Sequence, residues 1–384
     1  MRMPVKATPS RALTLSTPAT SHIFGRVLDQ ITNSYKFFWL HALLSAVENG
    51  TELDLKVSKL VDDMVMAAWH PVALFRLSLG HQDRLQDSVS QLVSTTGLRP
   101  SAPATTKGLR IIRSALAETN PAGKLELERY VPFRFIAPWF ETELRGRPDS
   151  EKDRRIQELA AQRFGGPNSA PYCFVNGVTQ IRFDPGWHAW MRENLAILRA
   201  FADQGLIQFL QARNPSVPGI PAKLRAPFQR DLKRGRQFWK TAFPTLSTEG
   251  PNHEVRDIYT GAEVGPNFSL DHFLPWNFVA HDLLWNLVPV NPLTNSSKSD
   301  AVPDLDRYVP ELAKLHHAAL QSLREQPRLL SDHVEFMKLD TSSLLGLTVV
   351  ALTERFATEF HPSAERAGLQ GFRTRWRWEP GRTV

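Results

Sequence analysis

Apolar residues recur at three- and four-residue steps from Ile23 onward: Phe24, Val27, Leu28 and Ile31, then Tyr35, Phe38, Trp39, Ala42, Leu43 and Ala46, until Asn49-Gly50 stops the run. That spacing gathers the apolar side chains on one helical face, so 23–49 is predicted to be a helix. Val57, Leu60, Val61, Met64 and Ala68 repeat the pattern over 55–69, and Pro71 breaks it. Further helices are predicted over 82–95, 106–117, 151–162, 187–211, 305–325 and 344–360. The aromatic stripe Tyr35, Phe38, Trp39 is read as core, not as a platform for stacked bases. The period changes at 172–183, where two β-rich runs flank Asn176-Gly177. Asn-Gly supplies the two positive φ values of a type I′ turn, which predicts a hairpin. Asp184-Pro185 then caps and opens the next helix.

The chemistry concentrates in residues 271–300, which read DHFLPWNFVAHDLLWNLVPVNPLTNSSKSD. Cutting a phosphodiester needs a base to activate water, a cation to stabilise developing charge, and a group that holds the base in one tautomer. His272 is the candidate base, Asp271 and Asn295 are candidate hard-oxygen metal ligands, and Asn286 is placed to orient the imidazole through its amide. The run from Ser269 to Phe273 is predicted to be a strand ending at Asp271 and His272, and Asn286-Leu-Val-Pro-Val290 its partner. Asn291 and Pro292 look like the cap and first residue of a helix, which puts Asn295 and Lys298 on one face. Strand, loop, strand and helix would bring four side chains to one point. His281 and Asp282 lie in the loop between the strands, where they either shape the site or serve capping and packing.

This segment resembles an HNH endonuclease domain, the ββα-metal fold, in the variant with Asn in the last motif position. The resemblance rests on Asp271, His272, Asn286, Asn295 and Lys298 in order, flanked by Phe273-Leu-Pro-Trp276 and Trp285-Asn-Leu-Val-Pro289. It implies that Asp271 and Asn295 bind one Mg²⁺ or Mn²⁺, that His272 is the general base, that Asn286 positions it, and that Lys298 contacts phosphate. Oxygen ligands favour such hard cations. Many HNH domains carry two Cys pairs around a zinc; here Cys173 is the only cysteine, so no structural zinc is expected. Packing of Ile258, Tyr259 and Trp276 is expected in its place. Ser299 stands where a further His often follows. DNA is the implied substrate, with RNA as the alternative, and bacterial anti-phage defence or restriction the implied setting, alone, as a homo-oligomer or as the cutting subunit beside defence-system partners. The competing expectation is a nucleic-acid-binding or adaptor protein on an inactive HNH fold.

The expected architecture is mainly α, with a small embedded ββα-metal module and the short hairpin. Its expected parts are a flexible tail (1–22), a helical N-terminal domain (23–128), a helical domain with the hairpin insertion (129–215), a basic linker (216–249), the HNH module (250–310) and a helical C-terminal region with a basic tail (311–384). Within the linker, Lys233, Arg234 and Arg236 are candidates to track phosphates, since each neutralised phosphate releases counterions; a solvated helix face is the plainer reading. The C-terminal Arg373, Arg375, Arg377 and Arg382, with Trp376 and Trp378, either touch DNA or form an exposed tail. The net charge of +7 agrees with a nucleic-acid partner. No run approaches the length of a membrane span, and one cysteine fits a reducing cytoplasm, so a soluble cytoplasmic protein is expected. The sequence has no internal repeat and no phosphate-cradling glycine loop.

Overall fold

In the computed structural model the described residues are 18, 20–28, 31, 33–81, 83–101, 106–119, 124–225, 230–249, 255–265 and 267–380. The expected tail up to residue 17, and Arg382, lie outside them. The protein is mainly helical with two small sheets. It divides into two compact units, Met1–Ala73 with Ser78–Arg213, and Leu74–Leu77 with Asn214–Val384.

The first unit is built around α1 (Tyr35–Asn49), which buries Phe37, Phe38, Trp39, Leu40, Leu43, Leu44 and Val47. It is wrapped on more than one face, as expected of a helix at the centre of a core. The helix expected over 23–49 is not continuous: Ser21–Phe24 and a 3₁₀ turn at Gly25–Leu28 precede α1. Thr20, expected in the tail, is buried and donates to the Ser169 carbonyl. A three-residue strand, β1 (Asp54–Lys56), then leads into α2 (Val57–Trp69). The longer helices that follow are α3 (Arg84–Thr96), α4 (Thr106–Thr119), α5 (Lys124–Ile136) and α6 (Asp149–Arg163).

The hairpin forms as β2 (Tyr172–Val175) and β3 (Gln180–Phe183), with Val175 opposite Gln180. Asn176 and Gly177 both take positive φ, but pairing resumes only at Gln180, so the loop has four residues in place of two. After it come α7 (Pro185–Glu193) and α8 (Leu195–Arg213). Here 23–128 and 129–215 are one unit, not two. β1 pairs antiparallel with β3, Arg182 grips Asp54 through two nitrogens at 2.6 and 2.7 Å, and Trp39 donates to the Tyr172 hydroxyl. α8 crosses α1 so closely that a Cβ at Gly205 would meet Phe37 at 2.6 Å.

The second unit replaces the expected linker with core. α9 (Lys233–Glu249) buries Phe238, Trp239 and Ala242 completely, and Trp239 donates to the Leu287 carbonyl. It lies close against the strands: a Cβ at Gly235 would sit 2.7 Å from the Leu287 side chain, which would have to shift. Strands β4 (Ser269–His272) and β5 (Leu287–Val290) follow, then α10 (Pro292–Lys298), α11 (Leu305–Ser322), α12 (Pro327–Met337) and α13 (Val349–Leu369). The C-terminal helices are not a separate region. Tyr259 packs edge-on against Tyr308 and Trp376, and Phe273 meets Phe360 at 5.2 Å. The expected basic tail is partly fixed as well: Val302 and Asp304 exchange backbone hydrogen bonds with Arg373 and Trp376, and Arg377 pairs with Asp304. Among the described residues no helix is long and apolar enough to cross a membrane.

α11 and α12 meet at two fully buried histidines, His316 Nδ1 and His333 Nε2, 2.9 Å apart. Burial pushes His333 down to about 4 and His316 well below its ordinary value. The pair is neutral at pH 7, with one N–H between the rings. A histidine in the unfolded chain titrates near pH 6.5, so below that pH the unfolded state binds more protons than the folded one. The stability is full above pH 6.5 and drains away as pH falls toward 4, by on the order of 3 kcal/mol for His333. The urea midpoint should fall accordingly between pH 7 and 4.5, and His333→Gln should flatten that dependence; a wild-type midpoint that holds constant over the range would count against it.

Candidate active site

The hairpin β4–β5 carries the motif. Its antiparallel register sets Asp271 opposite Val288 and His272 opposite Leu287, and all four residues of β5 are buried. Consecutive strand residues point to opposite faces, and the partners of Asp271 and His272 differ accordingly.

Asp271 is 3% exposed and lies in a buried network. One oxygen accepts from the Tyr259 hydroxyl at 2.8 Å and the other from Lys298 Nζ at 3.1 Å. Lys298 also donates to the His272 carbonyl at 2.7 Å, so one ammonium ties α10 to the end of β4. Burial, then the charge of Asp271, pushes the Tyr259 phenol well above its ordinary value, so it stays a donor. Lys298 is fully buried. The expectation was that it reaches a phosphate; instead two of its three donors turn inward, to Asp271 and the His272 carbonyl.

His272 is 5% exposed, and its Nε2 lies 2.7 Å from Asp282 Oδ1. Burial raises Asp282, but the His272 hydrogen bond, the His272 charge and Arg230 outweigh it and hold the carboxyl below its ordinary value. Arg230 lies over the Trp276 ring at 4.9 Å. Neighbouring His281 is pushed down to about 4, first by burial and then by the charge of His272, and is neutral at pH 7.

Among the described residues no hydrogen bond joins the Asn286 amide to the imidazole, contrary to the expectation from sequence. Its amide is fully buried and closes a two-way clamp on one residue, accepting from the Leu274 N–H at 2.8 Å and donating to the Leu274 carbonyl at 2.9 Å. It fixes the chain just after His272, and so acts on the base through the backbone. Asn286→Ala strands two buried backbone groups, which should cost about 2–6 kcal/mol at roughly 1–3 per group. Chemical denaturation reads this directly, and an unchanged midpoint would refute the clamp.

Asn291 caps α10 with Pro292 at the first position, but its side chain donates to Glu263 and makes no cap bond. Asn295 is half-buried on α10, one turn before Lys298. Among the described residues no hydrogen bond joins its amide to Asp271 or His272. In place of a zinc knuckle, Asp257 organises the turn before β4. Its carboxylate accepts from the N–H groups of Tyr259, Thr260 and Asn291, while Ile258 and Tyr259 are buried and Trp276 is half-buried.

The basic candidates separate. Lys233 and Arg236 are exposed on α9, whereas Arg234 is bound into α12 through Asp332 and the Arg328 carbonyl. Asp332 in turn accepts from the Leu284 N–H, so Arg234 supports the loop that carries Asp282. Sequence reasoning left Asp282 between two readings and missed the hydroxyl of Tyr259. The available signal was a polar pair, His281-Asp282, inside an otherwise apolar loop.

Among the described residues no three His, Cys, Asp or Glu side chains are arranged to hold a metal. The donors near His272 are nonetheless hard oxygens. Each Asp271 oxygen accepts one described hydrogen bond and a carboxylate can accept about four in all, so lone pairs remain. Asp282 and the Asn295 amide carry oxygen donors of the same hard type, the type that divalent cations such as Mg²⁺ take.

The HNH endonuclease family model matches residues 257–304. No curated protein and no solved structure gives a significant match to the chain.

Proposed function

We propose that this protein, whose residues 257–304 belong to the HNH endonuclease family, is a divalent-cation-dependent endonuclease that hydrolyses phosphodiester bonds of DNA. The observation that carries the reading is the His272–Asp282 pair at 2.7 Å at the end of β4. A carboxylate accepting from Nε2 fixes the imidazole tautomer with its lone pair on Nδ1 and stabilises the imidazolium once formed. Nδ1 then takes a proton from water, the oxygen attacks phosphorus in line, and the bond to the 3′ oxygen breaks. Lys298 and Asn286 hold the backbone on either side of the imidazole, at His272 and Leu274. Asp271 and Asn295 would hold a Mg²⁺ or Mn²⁺, which when bound supplies charge stabilisation at the phosphate and the leaving oxygen. The exposed Lys233 and Arg236 add positive charge on α9 for the DNA backbone. The fitting setting is cytoplasmic, in bacterial restriction or anti-phage defence, with RNA as the alternative substrate.

A second reading draws on one observation: Lys298 already compensates the charge of Asp271. On that reading the HNH fold is inactive and the protein binds nucleic acid or serves as an adaptor. Supercoiled plasmid, linear and single-stranded DNA, and RNA, each incubated with Mg²⁺, Mn²⁺ or chelator, separate the two. Cation-dependent nicks support the nuclease; binding without cutting under every cation supports the second reading.

A further inference from the structure

With Lys298 turned inward, a phosphate that enters beside Asp271 and Asp282 needs another cation to offset their negative charge. Arg230 is placed to be that cation. It is exposed, and its guanidinium lies over the Trp276 ring at 4.9 Å. The ring is itself held: Phe75 meets it at 5.7 Å, and Trp276 follows closely on Leu274, the residue that Asn286 clamps. Among the described residues the Arg230 guanidinium makes no hydrogen bond and no ion pair, and the nearby carboxylates are bonded to other groups. Asp282 takes His272 Nε2 and the Asp231 N–H, while Asp271 takes Tyr259 and Lys298. Arg230 still lies within reach of their charge. Loss of water around it lowers its pKa, and Asp282 and then Asp271 pull it back up. As an arginine it stays charged at neutral pH.

We infer that Arg230 contacts the reacting phosphodiester, its face resting on Trp276 and its N–H groups donating to a non-bridging phosphate oxygen. A guanidinium stacked on an aromatic ring keeps its donors free in its own plane, and that planar fork matches phosphate oxygens in geometry and charge. The stem needs no carboxylate to hold it there. Its positive charge is worth most as water attacks, when negative charge grows on the oxygens around phosphorus. No bond to Arg230 forms or breaks; it holds the phosphate while His272 takes the proton. Which phosphate it holds rests on the nuclease reading of the His272 site, whereas the contact itself can be measured without any cutting.

Two measurements on the full chain test it. In EDTA, fluorescence anisotropy of a labelled short DNA duplex reads affinity as a function of salt. Arg230→Gln should weaken binding about tenfold, the worth of one charge-assisted hydrogen bond, and reduce the salt slope by about 0.9, the share of one neutralised duplex phosphate. In Mg²⁺ the same variant should nick plasmid about 10²-fold more slowly with an unchanged pH dependence. Arg230→Lys keeps the charge and loses the fork, so it should restore the salt slope but only part of the rate. The side chain is exposed, and circular dichroism verifies the fold of both variants. Wild-type affinity and slope in Arg230→Gln overturn the inference. So does a lost slope with a wild-type nicking rate, which would put the contact away from the reacting phosphate. A guanidinium that served only to balance Asp282 would leave the slope alone and shift the pH dependence of cutting, and that result overturns it too. If wild type never nicks under any cation, the nuclease reading fails by itself; a lost slope then still supports the phosphate contact, and an unchanged one sinks it.

Discussion

Plasmid cutting by His272→Ala is expected to fall about 10²- to 10⁴-fold, the usual contribution of one positioned general base. The substitution leaves the Asp271, Tyr259 and Lys298 network in place, because those bonds run through the Asp271 side chain and the His272 carbonyl and do not involve the imidazole. DNA binding in chelator should therefore persist while the chemical step is lost. Asp282→Asn should act in the same direction through kcat with KM unchanged, since an amide keeps a polar atom near Nε2 but no longer stabilises the imidazolium. Asp282 is held below the ordinary carboxylate range, so its charge is present at neutral pH and lost only as pH falls through that depressed value. Activity near pH 7 should not track its titration. Wild-type rates from His272→Ala would move the base elsewhere, and rates at zero in both proteins would favour the binding reading.

How much of this was legible in the chain varies with the range of the interactions. The β4–β5 hairpin and α10 follow from local signals: a strand-like run on each side, then Asn291-Pro292 opening a helix. Helices with strong periodicity, such as α2, α3 and α11, lie where the spacing predicts them. α5 was not foreseen because Pro132 stands inside it, and β1 because three residues carry no period. Domain organisation failed for a different reason. β1 pairs with β3 across more than a hundred residues, and Tyr259 packs on Trp376 across a similar span. Such closures leave no mark in local composition, so the run before the motif read as a basic linker, although Phe238 and Trp239 within it anchor it on the core. The same limit governs the site. Residue types and order identified Asp271 and His272 as a pair, but nothing local tells whether Lys298 points outward to phosphate or inward to Asp271. Nor does it tell whether the Asn286 amide meets an imidazole or a backbone.

Lys298→Met is therefore expected to act on stability before it acts on chemistry. Removing one partner of a buried ion pair leaves the other uncompensated and costs about 3–5 kcal/mol. Asp271, at 3% exposure, would keep only the Tyr259 hydroxyl as donor, and the His272 carbonyl would lose its bond to α10. For a chain or unit of this size each kcal/mol shifts Tm by about 2–4 °C, so a fall of roughly 6–20 °C should appear in calorimetry. The double variant Asp271→Asn/Lys298→Met removes the stranded charge and should regain a large part of that loss. If Lys298 instead contacted phosphate, the single variant would melt like wild type and lose affinity for DNA, and the double variant would show no recovery. A thermal midpoint unchanged by Lys298→Met would thus return the lysine to the substrate side of the site. A collapse rescued by the Asp271 substitution would establish that its charge is used within the fold, to hold α10 against the strand that ends in His272.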